Sequence, residues 1–180
     1  MSAPGRRHGG VEADCSDYRY TLRREIPGLG FEGTVLFVML NPSTADDNVD
    51  DPTIRRCVGF ATRWGFARLE VGNLYAQRAT DPAGLFASDD PVGPENALYL
   101  DAMAGRATEV IVAWGATPHP FPKRAKDILW RLEFLAGSVR CLGQTKHLHP
   151  RHPLYVRRDA RRVPFRRTPR FYAPPSAIRQ

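Results

Sequence analysis

The chain has 180 residues, 42% of them hydrophobic and 25% charged, with a formal net charge of +7. That length and composition fit one soluble globular domain with a sizeable core, and they exclude a fibrous or low-complexity chain. No apolar run approaches the ~20 residues of a membrane span, and no apolar segment follows the N-terminal arginines to make a secretory signal.

Taken in chain order, residues 1–17 read as a disordered lead-in. Residues 19–26 and 33–40 read as two strands joined by the Pro/Gly turn PGLGFEG. The second strand is a continuous apolar run that stops at Asn41-Pro42. It empties into a loop holding Ser43, Thr44, Asp46, Asp47, Asp50 and Asp51. Asp51-Pro52 supplies an N-cap and a first-turn proline. Ile54, Cys57, Val58 and Ala61 then follow helical spacing, and Gly65 is a helix stop. Residues 67–74 read as a strand, residues 75–94 as a long loop with several prolines, and residues 96–104 as a helix opened by Pro94-Glu95. Residues 109–114 (EVIVAW) are the clearest buried strand. Residues 123–135 form an amphipathic helix with Ile128, Leu129, Leu132 and Leu135 on one side, and residues 138–142 a last short strand. This alternation predicts an α/β fold, a three-layer α/β/α sandwich with a mainly parallel central sheet, over residues 18–156.

Cys15, Cys57 and Cys141 are odd in number and far apart. That argues against a disulfide scaffold or a structural zinc site, and for a reducing cytoplasm. Cys57 and Cys141 sit in apolar patterns and read as small core residues. The charge is concentrated at one end. Residues 157–180 carry eight arginines against the single acid Asp159, so the remainder balances at eighteen basic and eighteen acidic residues. Arg157, Arg158, Arg161, Arg162, Arg166, Arg167 and Arg170 interleave with Phe165, Phe171 and Tyr172. Such a basic, Pro-rich tail suits phosphate contacts and base stacking, making nucleic acid the expected partner. A solvated basic terminus lying back on acidic patches is the competing reading.

Four features fall where strands should end: NPSTADD, Asn73 followed by Leu74-Tyr75, Trp114-Gly115, and HPRHPLY. In a parallel sheet such loops emerge at one edge and share a cleft. Asn73, with Tyr75 beside it, offers an amide able to read the edge of a base, or simply a strand-end cap. His149, His152 and Arg151 offer donors to a developing anion, stiffened by Pro150 and Pro153. Asp46 or Asp47 can act as a general base, or join Asp50 and Asp51 around a divalent cation. Trp114 reads as core.

The segments NPSTADDNVDDPTIRRC, FATRWGFARLEVGNLYAQRATDP, DPVGPEN, AWG and HPRHPLYV, in that order, resemble an uncharacterised family of short bacterial and phage proteins, a domain of unknown function. That resemblance brings no assigned activity. It departs from the pattern at Leu148-His149, where a glycine is expected nearby. The order of strand ends is also similar to the uracil-DNA glycosylase superfamily. That resemblance implies a water-activating loop at Asn41-Pro42 and a base-reading Asn73. It further implies a strand ending at Trp114-Gly115, and a base-contacting histidine at His149 or His152.

The leading expectation is therefore a nucleobase-recognising N-glycosylase acting on DNA or RNA, needing no metal or cofactor. Asn41 and Asp46 would handle the water, while Ser43, Thr44, Asn73, Tyr75 and Arg151 would hold the ligand. A flipped-out base would be received in the cleft. A metal-dependent nuclease built on the residue 46–51 carboxylates, and a non-catalytic nucleic-acid binder, stand as alternatives.

Overall fold

A strand with no polar alternation has to be covered on both faces, so the apolar run after Gly33 becomes the centre of the molecule. The computed structural model describes residues 14–15, 17–43, 50–79, 81, 85, 88–116 and 122–167. In it Val35, Leu36, Phe37 and Val38 are wholly buried. The elements run β1 (Asp14–Cys15), β2 (Tyr18–Arg19), β3 (Leu22–Glu25), β4 (Thr34–Met39), α1 (Pro52–Arg63), β5 (Arg68–Asn73) and α2 (Asn96–Arg106). They continue with β6 (Glu109–Val112), α3 (Pro122–Ala136), β7 (Val139–Cys141), a 3-10 turn (Pro153–Tyr155) and β8 (Val163–Pro164).

The main sheet has the order β3-β5-β4-β6-β7-β8. Its four central strands are parallel, whereas β3 and β8 run antiparallel at the two edges. The fold is thus α/β with a mixed sheet. The two strands flanking PGLGFEG are not neighbours, because β5 lies between them with Leu22 opposite Val71. Ile26 and Glu32 instead direct their amides to the carbonyls of Ala67 and Gly65. A local turn signal fixes where the chain bends but not which strand it meets.

Successive side chains of a strand point to opposite faces, and each face has its own cover. Val35, Phe37 and Met39 pack with Ile54, Cys57, Phe60 and Ala61 of α1. Leu36 and Val38 pack with Leu100 and Met103 of α2 and with Ile128, Leu129 and Leu132 of α3. As expected, the Asp51 side chain caps α1 by accepting from the Ile54 amide, with Pro52 in the first turn. Gly72 lets α2 lie close on the sheet, since a Cβ there would stand 2.7 Å from Leu100 Cδ2 and Met103 Cε. Cys57 and Cys141 are free, buried thiols, and burial pushes the Cys57 thiol well above its ordinary range. Among the described residues no helix is long and apolar enough to cross a membrane.

Described residues on either side of the expected domain also hold structure. Within the lead-in, which lies mostly outside the described residues, Asp14–Cys15 pairs antiparallel with Tyr18–Arg19. Beyond residue 156 the chain folds back on the body. Val163–Pro164 extends the sheet, Phe165 packs against Trp114 at 6.3 Å, and Gln144 exchanges two hydrogen bonds with the Arg166 backbone. Arg162 stacks over Trp64 at 5.2 Å and Phe66 at 5.3 Å while pairing with Glu109 at 3.4 Å. Arg167 pairs with Glu133, and Arg157 with Asp159 at 3.0 Å. Guanidinium groups stack and pair in this way because they are planar and weakly hydrated. Of the arginines expected on phosphates, Arg157, Arg158, Arg161 and Arg166 stand exposed, and Arg170 lies outside the described residues.

Candidate functional site

The carboxyl ends of β4, β6 and β7 carry loops that meet over one cavity of about 410 Å³, within the ordinary size range of small-ligand sites. From β4 come Asn41 and Ser43. The Asn41 amide nitrogen donates to the carbonyls of Ala79 at 2.7 Å and Pro42 at 3.0 Å. These bonds tie the loop after β4 to the segment after β5, and leave the Asn41 carbonyl oxygen as the group able to accept from a ligand or water. Asp51 and Thr53 enter from the start of α1.

A second chain segment completes that wall. The Arg19 amide donates to Ala76 at 2.8 Å and the Arg78 amide to Asp17 at 2.9 Å, which lays β2 alongside the segment after β5. Arg19 thereby lines the cavity at 2% exposure.

From β6 come Trp114, Gly115 and Ala116. Trp114 belongs to the core at 4% exposure, as expected, and also contributes to the cavity wall. Gly115 has φ +83°, and a Cβ built on it would lie 3.5 Å from the His152 Cβ, so the two loops touch there.

The loop after β7 delivers His152 and Tyr155. It is braced internally. Thr145 and His149 are joined by the Thr145 amide to the His149 carbonyl at 2.9 Å and the His149 amide to Thr145 Oγ1 at 3.2 Å. The Gln144 side chain donates to the Leu148 carbonyl at 2.8 Å, and the Arg151 amide to Gly143 at 2.9 Å. Leu148 has φ +64°, a left-handed conformation that costs a non-glycine residue about 1–2 kcal/mol. This is the position beside which a glycine was expected.

His152 caps the 3-10 turn, with its Nδ1 accepting from the Leu154 amide at 3.4 Å. The proton of the neutral ring then sits on Nε2 as a donor. Burial lowers the His152 pKa, and the Asp51 carboxylate offsets this only in part. Because the folded value lies below the unfolded one near 6.5, the associated stability is present above pH ~6.5 and is lost as pH falls through the folded value. Thermal midpoints measured from pH 7.5 down to 5 should therefore decline in the wild type. They should decline less in His152→Asn, which keeps a capping acceptor but does not titrate. Parallel declines would remove His152 as the cause.

Of the expected site residues, Asn41, Ser43 and His152 meet at the cavity, while Thr44 and Asp46 lie outside the described residues. Asn73 does not line the cavity. It is 1% exposed, and its backbone carbonyl accepts from Asn96 at 3.2 Å. Tyr75 packs into the core formed with α2 and α3, where burial pushes its hydroxyl up to about 12. His149 is half-buried in its own loop, and Arg151 is exposed with its Nε donating to the Gln144 carbonyl at 3.3 Å. Asp50 pairs with Arg24 at 2.8 Å, and among the described residues no group of three or more His, Cys, Asp or Glu is placed to hold a metal ion. The sequence reading missed Arg19, Thr53 and Tyr155 as wall residues. The available signal for Arg19 was an arginine set between two tyrosines inside a strand-like run.

No curated protein and no solved structure matches the chain. A family model does match, over residues 19–154, which takes in every described residue of the cavity but Tyr155. The chain belongs to that family, described as Protein of unknown function (DUF1643).

Proposed function

We propose that the cavity receives a nucleobase of DNA or RNA and that the protein hydrolyses its N-glycosidic bond, on a fold related to the uracil-DNA glycosylases. One observation supports this above others. A carboxylate, Asp51, and two donors for an anion, Arg19 and the neutral His152, face the same cavity at the carboxyl ends of parallel strands. Breaking the bond leaves its electron pair on the base and positive charge on the sugar, so a site for it needs both signs of charge. The base anion accepts from His152 Nε2 and from Arg19. Water held by the Asn41 carbonyl oxygen adds to the sugar carbon and gives its proton to Asp51. Asn41 cannot itself be the base, since an amide is too weak. Asp51 is the described carboxylate that lines the cavity and is given the role of base, Asp46 lying outside the described residues.

The reading is tested by base release from oligonucleotides and nucleosides carrying uracil, hypoxanthine and the ordinary bases. Release of a free base unaffected by EDTA, and lowered about 100- to 1,000-fold in His152→Ala, is the expected result. Strand cleavage that EDTA abolishes would replace this reading with the nuclease. Tight binding without any product would leave a binding protein.

A further inference from the structure

Helix α1 presents a second concavity on its outer side, next to the cavity. Arg55, Gly59 and Arg63 line it together with Leu154 and Arg158. Spacing of four residues sets Arg55, Gly59 and Arg63 along one helix face. Its end residues lie about 12 Å apart along the axis. Among the described residues no carboxylate pairs with Arg55, Arg63 or Arg158. Asp159 feels the charge of Arg63 but is held by Arg157 at 3.0 Å. Arg55 donates to the Asp50 carbonyl at 2.5 Å, and its guanidinium has further N–H groups to offer. Arg56 has a different task. It donates to the Pro153 and Val156 carbonyls and so fastens the 3-10 turn, and with it His152, to α1.

Two choices in this helix work against helix stability. Beyond the Asp51 cap its first turn has no acid, and Arg55-Arg56 sit near the positive end of the helix, which disfavours cations. Gly59 is exposed in mid-helix, where a Cβ would meet nothing within 4 Å. Packing therefore does not require this glycine, and only proline is a poorer helix former. A bare backbone between two arginines suits a strand that must come close.

We propose that this groove seats the sugar–phosphate backbone of the nucleic acid whose base enters the cavity, with Arg55, Arg63 and Arg158 on phosphates and Gly59 allowing close approach. The proposal rests on the nucleic-acid reading of the cavity but is tested by binding rather than by base release. Affinity of the full chain for a single-stranded 20-mer is measured across a salt series. R55Q/R63Q/R158Q is expected to bind at least 10-fold more weakly at low salt and to reduce the slope of log K against log salt by about 2. Gly59→Gln is expected to raise the thermal midpoint by about 2–4 °C and still to weaken binding several-fold. An unchanged slope in the triple variant, unchanged affinity in a stabilised Gly59→Gln, or preference for phosphatidylserine vesicles over the oligonucleotide would each overturn the groove. A lowered slope in a protein that releases no base would uphold the groove and count against the glycosylase alone.

Discussion

Asp51→Asn is expected to leave the protein folded and to lower base release by about 100-fold or more, the scale of a lost general base. The two effects separate because Asp51 has two tasks. Its Oδ1 accepts from the Ile54 amide at 2.8 Å and so starts α1, and asparagine caps helices about as well as aspartate. Its charge is the part that faces the cavity and reaches His152, and asparagine removes it. The pair of measurements is a thermal melt and a base-release time course on the same preparation. A melt within about 1 °C of wild type together with full turnover would remove Asp51 from the chemistry. Asp51→Ala serves as the contrasting variant, because it loses the cap as well, at about 1 kcal/mol.

Truncation after residue 156 is expected to destabilise the domain by roughly 4–6 kcal/mol, not merely to weaken a phosphate contact. The cut removes the Phe165 amide bond to the Val139 carbonyl and both bonds between Gln144 and Arg166, each worth about 1 kcal/mol. It also removes the Phe165 ring from Trp114 and the Arg162 guanidinium from Trp64 and Phe66, contacts worth on the order of 1 kcal/mol apiece. Urea unfolding of the truncated chain, with hydrogen exchange read at β7, checks this. Unchanged stability would restore the picture of a free basic tail.

The contrast shows where sequence reasoning reached and where it stopped. Helix α1 was legible nearly to the residue, because its cap, first-turn proline, apolar spacing and stop are all local signals. Strand β6 was legible because a short β-branched run leaves little choice. The antiparallel places of β3 and β8 were not, since pairing partners lie far off in sequence and leave no local mark. The basic, Pro-rich stretch read as a phosphate-binding tail includes the edge strand β8, where proline is tolerated. Arg162 and Arg167 beside it lie back on Glu109 and Glu133, as the competing reading had it. At the site, Asn41, Ser43 and His152 followed from the rule that loops gather at strand ends. Asn73 obeyed the same rule and still ended up buried, because Asn96 holds the carbonyls of Asn73 and Leu74 beneath α2. Arg19 reaches the cavity through β2, which lies outside the parallel set on which the rule operates.

The left-handed Leu148 has a consequence for how a ligand arrives. A residue held in a minority backbone state, with hydrogen bonds on either side of it, fixes the path of the chain toward His152 before any ligand is present. The conformational entropy of that loop is lost during folding and not again at capture. Association should then be a single-step encounter with a preformed receptor, its observed rate rising linearly with ligand concentration and without the plateau that a slow loop rearrangement imposes.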